Sequence, residues 1–135
     1  MSSKVKELAD EYVQVRRVLV QIAIANEDID EQERMVIASS IGGSSGLNDD
    51  QVKTLLEDAT AKPDIKNLVE EISHPVALKQ MLLDVVALAL MKPTWHEAET
   101  RVLRDAVMAM SISESSRLSF LKTFESLQEI SQTIQ

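Results

Sequence analysis

Val5, Leu8, Tyr12, Val15, Leu19 and Ile22 follow one another at three- and four-residue steps, and Lys6, Asp10, Gln14, Arg17 and Gln21 form a second stripe beside them. A period near 3.6 gathers the first set on one face of a helix, whereas a strand would scatter it over both sides. The same periodicity recurs along the chain, so the sequence predicts an all-α fold. Composition agrees: hydrophobic residues make up 44% but aromatics 3%, with 3 Gly and 3 Pro, which leaves Leu, Ile, Val, Ala and Met to build the core. At 135 residues one domain, 1–135, is expected, large enough to bury a continuous core without disulfides.

Boundaries follow from local chemistry. A first helix is expected over 5–26 and a second over about 29–41, stopping at Gly42-Gly43-Ser44-Ser45-Gly46, a flexible connection without the lysine spacing of a phosphate loop. A third starts after Asn48, which has Gln51 at the third helical position and Leu47 placed to pack on Val52. Pro63 opens a fourth through about residue 72, and Pro75 a fifth ending near Lys92-Pro93. A sixth covers about 95–110 and a seventh about 114–131. The expected architecture is about seven helices in one compact bundle.

The chain also repeats itself. Shifted by 66 residues, Leu19–Ile41 falls on Val85–Val107 with its apolar positions largely in step, and Ala23, Glu31, Glu33 and Val36 meet Ala89, Glu97, Glu99 and Val102. After one deletion, Leu47-Asn48-Asp49 meets Ile112-Ser113-Glu114. Internal duplication of a helix-turn-helix unit is the simplest explanation.

Charge and cysteine usage narrow the function. A net charge of −8 and a pI near 4.7 oppose binding to nucleic acid or to an anionic membrane surface. The absence of cysteine excludes disulfides, thiolate zinc sites and thiol catalysis. The first residues carry no apolar signal core, and the run Met81–Met91, interrupted by Asp84, spans 11 residues against the roughly 20 a bilayer crossing needs. A cytoplasmic protein is expected.

Chemistry concentrates in Asn26-Glu27-Asp28-Ile29-Asp30-Glu31-Gln32-Glu33, with five carboxylates between 27 and 33. Such oxygen density suits a hard divalent cation, with Asn26, Asp28, Asp30, Glu33 and, from the second half, Glu99 as candidate ligands. An EF-hand is excluded, because Glu31 and Ile37 stand where that loop needs Gly and Glu. The competing reading is helix capping: Asp28 with Glu31, and Thr94 with Glu97 in the second half, form capping-box patterns. Asp84, alone in an apolar stretch, calls for an arginine such as Arg16, Arg17, Arg101 or Arg104. His74 and His96 have no second ligand at zinc spacing and read as surface histidines, and Trp95 as a packing residue.

The segment from Ala25 to Glu33 resembles the TerB-like, tellurite-resistance-associated pattern Ala-Asp-Gly-x-Ile/Val-x-x-x-Glu, and the likeness extends over roughly residues 15–128. Asn26 and Glu27 stand where that family has Asp and Gly, and Lys92 and Pro93 replace them in the second half. The resemblance implies a duplicated all-helical domain, a role in bacterial stress responses and, in some members, a metal-associated acidic site. Lys92 either complements the C-terminal end of its helix or, beside Glu33 or Glu99, supplies internally the positive charge of a cation. The expected function is therefore a non-catalytic binding or scaffolding domain with a protein partner. The alternatives are a divalent-metal sensor using the 26–33 turn, and a hydrolase or transferase with a cleft of carboxylates and His96.

Overall fold

The structure is a computed structural model that describes residues 3–91 and 94–134, with side chains from residue 8 onward. All regular structure among these residues is helical: α1 (Ser3–Ala23), α2 (Glu31–Ser44), α3 (Asp49–Ala61), α4 (Ile65–Glu70), α5 (Pro75–Met91), α6 (Glu97–Met108) and α7 (Glu114–Thr133). The duplication shows in their starts. α2 and α6 begin 66 residues apart, and α3 and α7 begin 65 apart, the offset and single deletion read from the sequence.

α1 is the central element and packs against α2, α3, α4, α5 and α6, while α7 closes over α5 and α6. The main core joins Val15, Val18 and Ile22 of α1 to Met81 and Val85 of α5, Leu103 and Val107 of α6, and Phe124 of α7. A smaller cluster, Val20, Ile24, Ala38, Leu55 and Ala59, holds the α2–α3 hairpin to the opposite side of α1. Trp95 packs edge-on against Phe124, with ring centroids 5.2 Å apart and planes at 88°, so the expected packing role is seen.

Several boundaries differ from expectation. α4 runs Ile65–Glu70 rather than 63–72, its start capped by Asp64, which accepts the Lys66 N–H, and not opened by Pro63; α6 runs Glu97–Met108 rather than 95–110, and α7 extends to Thr133. α1 ends at Ala23 rather than 26. α2 starts at Glu31 rather than 29, and continues through Gly42 and Gly43 to Ser44. Gly42 is helical, and its lack of a side chain lets α3 come close: a Cβ on it would lie 3.1 Å from Val52 Cγ2 and 3.3 Å from Leu55 Cδ1. The chain turns instead at Gly46, whose φ of +70° is a left-handed conformation open to glycine without strain. α3 begins as expected, with the Asn48 side chain accepting from the Gln51 N–H while the Gln51 side chain accepts from the Asn48 N–H, both at 2.9 Å.

Candidate functional site

The acidic turn forms the connection between α1 and α2. Asn26 Oδ1 accepts the Asp28 N–H at 2.9 Å, and the Ile29 N–H reaches the Asn26 carbonyl at 3.4 Å, so residues 26–29 close a tight turn. The chain straightens at Asp30, whose backbone is extended (φ −82°, ψ 174°) and whose Oδ1 accepts the Glu33 N–H at 2.7 Å. Asp30 is therefore the cap of α2, two residues later than the expected Asp28–Glu31 box. That box cannot form, because Asp28 is held inside the turn. Glu31 and Glu33 occupy the first turn of α2, where negative charge favours the helix dipole.

The second half makes the same correction. Thr94 does not cap α6; His96, the repeat equivalent of Asp30, does. Its Nδ1 accepts from the Ala98 N–H at 3.2 Å, and Glu99 Oε1 accepts from the His96 N–H at 3.0 Å. His74 takes a similar part at α5, its Nδ1 accepting from the Val76 N–H at 3.2 Å. Both histidines are thus engaged at helix starts.

The five candidate metal ligands fall into separate settings. Asp28, Asp30 and Glu33 are exposed and Asn26 half-buried, while Glu99 is buried in the first turn of α6. Among the described residues no group of three or more His, Asp or Glu side chains is arranged to hold a metal ion. Lys92, and with it the choice between completing its helix end and supplying charge to Glu33 or Glu99, lies outside the described residues. Arg34, which sequence spacing did not single out, anchors the turn: Nη1 donates to the Ile29 carbonyl at 3.0 Å and Nε to the Ala59 carbonyl at 3.3 Å, tying the start of α2 to the end of α3. With Asp30 engaged in this way, Asp30→Ala is expected to cost about 1 kcal/mol of stability, the usual value of a lost helix cap, measured by urea denaturation. Calorimetric titration of the unaltered chain with Ca²⁺, Mg²⁺, Mn²⁺ or Zn²⁺ should give no saturable heat.

The polar stripe of α1 is where sequence reasoning fell furthest short. Arg17 makes a two-pronged bond to Asp58 of α3, Nε to Oδ2 at 2.7 Å and Nη2 to Oδ1 at 3.1 Å. Its Nη1 donates to Gln14 Oε1 at 3.1 Å, and Gln14 Nε2 reaches the Leu68 carbonyl at 3.1 Å and Glu71 Oε2 at 2.8 Å. Gln21 Nε2 donates to the Asp58 carbonyl at 3.1 Å. The hydrogen bond to Asp58 raises the Arg17 pKa, against the opposing effect of burial, with the charges of Asp58 and Glu71 adding to it. These groups satisfy one another and fasten α1 to α3 and α4.

Asp84 has found an arginine, as expected of it. Arg16 Nη1 lies 3.4 Å from its Oδ2, and Gln80 Nε2 donates to its Oδ1 at 2.9 Å. Arg16 also donates from Nη2 to the Tyr12 hydroxyl at 2.6 Å. Tyr12 and Gln80 of this cluster line a groove of about 440 Å³, completed by Leu8, Ala9 and Val13 of α1, Leu47 and Gln51 at the start of α3, and Val76 of α5. Its lining is mostly apolar and its polar members are uncharged, while the charged pair beside it, Arg16 and Asp84, is mutually neutralised. Such a concavity suits an apolar side chain or short helical segment better than an ion. No helix among the described residues is long and apolar enough to cross a membrane. Compared with models of known protein families, with curated proteins and with solved structures, the chain matches none.

Proposed function

We propose that this chain is a non-catalytic helical binding module that takes an apolar segment of a protein partner into the groove between α1, the start of α3 and α5. The observation that carries this reading is the groove itself: Leu8, Val13, Leu47 and Val76 line it, and hydrogen-bonding capacity comes from the neutral side chains of Tyr12, Gln51 and Gln80. A site of that kind gains affinity by burying apolar surface and direction from a few polar groups. The acidic turn supports the same reading, since Asp30 spends its side chain on holding a helix start. A setting in bacterial stress response comes from the resemblance to TerB-like domains alone.

The test is site-specific photocrosslinking in cells. A photoreactive residue at Ala9, exposed on the groove wall, should form adducts with a partner protein, and the same residue at Ser119, exposed on the far side of α7, should not. Substituting Val13→Glu in the Ala9 probe, at a groove residue outside both core clusters, should abolish the adducts while leaving the helical circular dichroism intact. No adducts at Ala9, or equal yields at both positions, would sink the groove as the binding site.

A further inference from the structure

The fifth helix has a sequence suited to burial on every side, yet it lies at the edge of the bundle. Its 17 residues carry two charges, Lys79 and Asp84, and a helix that is apolar all round normally belongs inside a core. One side does: Leu78, Met81, Val85 and Ala89 are buried. On the other, Val76, Leu83 and Leu90 stand 55%, 64% and 49% exposed at seven-residue spacing, which lines them up along one face, with Ala87 beside them and Met91 at the end.

The internal repeat offers a direct comparison. The 66-residue shift sets Gln80, Leu83 and Ala87 of α5 on Gln14, Arg17 and Gln21 of α1. In α1 that face is covered by the end of α3 and by α4, through the Arg17–Asp58 and Gln14–Leu68 bonds. α5 packs against α1 and α7, and among the described residues nothing stands over it where α4 stands over α1. Where the first half places an arginine and its carboxylate, the second half presents a bare leucine.

The apolar face extends onto α7. Ser131 Oγ reaches the Leu90 carbonyl at 3.5 Å, which sets Ile130 and Ile134, 51% and 73% exposed, beside the C-terminal end of α5. Val76, Leu83, Leu90, Met91, Ile130 and Ile134 together leave on the order of 700 Å² exposed, close to the roughly 800 Å² each partner contributes to an interface of standard size.

We infer that this face is the interface of a homodimer in which α5 packs antiparallel on α5 of a second copy, with Leu83 at the two-fold axis. The orientation follows from charge. Lys79 is the one charged residue of the stripe, and a parallel pairing would set it against its own copy. Antiparallel pairing about Leu83 brings Val76 to the partner's Leu90 and Lys79 to the partner's Ala87, whose small side chain leaves room for the lysine stem while the ammonium reaches water. The second α5 then takes the covering place that α4 holds in the first half. This goes beyond the groove reading and does not depend on it.

Sedimentation equilibrium of the full chain should give twice the 15.0 kDa chain mass, and Leu83→Lys should raise the dissociation constant roughly 30-fold or more, the effect of losing a central contact. Because Leu83 is exposed, that variant should keep its helical circular dichroism. The chain has no cysteine, so single introduced thiols report unambiguously. Leu83→Cys should link two copies on mild oxidation, Ser119→Cys should not, and a mixture of Val76→Cys and Leu90→Cys chains should link to each other faster than either links to itself. A monomer at about 100 μM, a concentration at which even a weak specific dimer forms, would overturn the inference, even if another protein then covered the face. So would a dimer indifferent to Leu83→Lys, or Val76→Cys linking best to itself. Val76 borders both surfaces, so an Ala9 adduct counts for the groove only where its mass shows a chain other than this one, and either proposal can then fail without the other.

Discussion

Phe124→Ala should lower the unfolding free energy by about 3–5 kcal/mol, the range for removing a buried phenyl ring and leaving its cavity, which is a large share of the 5–15 kcal/mol of a typical domain. Phe124 is 2% exposed and is the one fully enclosed side chain that α7 brings to the main core. It meets Trp95 edge-on at 5.2 Å, a geometry that pairs the positive ring edge with the negative ring face. Without the ring, α7 keeps smaller anchors such as Phe120 and Leu121, which are half-buried. Trp95 is the sole tryptophan, so its fluorescence reports the site directly: emission should move to longer wavelength as water reaches the indole. Phe124→Leu should recover at least half of the loss. A cost below about 1 kcal/mol for the alanine variant would mean that α7 contributes little to the core, contrary to its packing.

Asp58→Ala should cost about 2–4 kcal/mol, because removing one member of a buried ion pair strands the other. The Asp58 side chain is 6% exposed and that of Arg17 24%, so the stranded guanidinium keeps partial access to water, which sets the estimate below that for a fully enclosed charge. Arg17→Met should be comparably damaging, since it leaves a carboxylate buried with no countercharge. The double variant Arg17→Met, Asp58→Ala should lose clearly less than the two single losses added, as neither charge is then left buried without its partner. Urea denaturation of the four proteins completes the cycle. Strict additivity would show that the two groups do not act as a pair.

How far these features could be read from the sequence varies with the range of the interaction. Helix starts set by neighbouring residues were legible: Asn48 and Gln51 form the expected box, and the repeat offset places α6 from α2 and α7 from α3. Asp84 had to find an arginine because a lone carboxylate in an apolar stretch has few other outcomes, and Arg16 lies on the helix that packs against α5. The cap positions were misjudged by two residues in both halves: in the first, Asp28 and Asp30 offer the same side chain and the choice rests on whether Asn26 closes a turn first, and in the second a histidine, His96, takes the cap from the more usual threonine, Thr94. The network of Gln14, Arg17 and Gln21 was visible as a stripe but not as a buried one. Periodicity shows which residues share a face of α1, and it is silent on whether water or α4 covers that face. The groove was not legible at all, since its walls come from three separate segments spread between Leu8 and Gln80.

The central place of α1 also bears on how the protein comes off the ribosome. Every helix that α1 packs against is translated after it, the last being α6, which ends at Met108. Its apolar stripe, with Val15, Val18 and Ile22, therefore waits until residue 108 is made before all its native neighbours exist, and a stripe of that kind invites holding factors or aggregation until the later helices arrive. Conditions that slow translation between α3 and α6 should lower the soluble yield more than equal delays after α6.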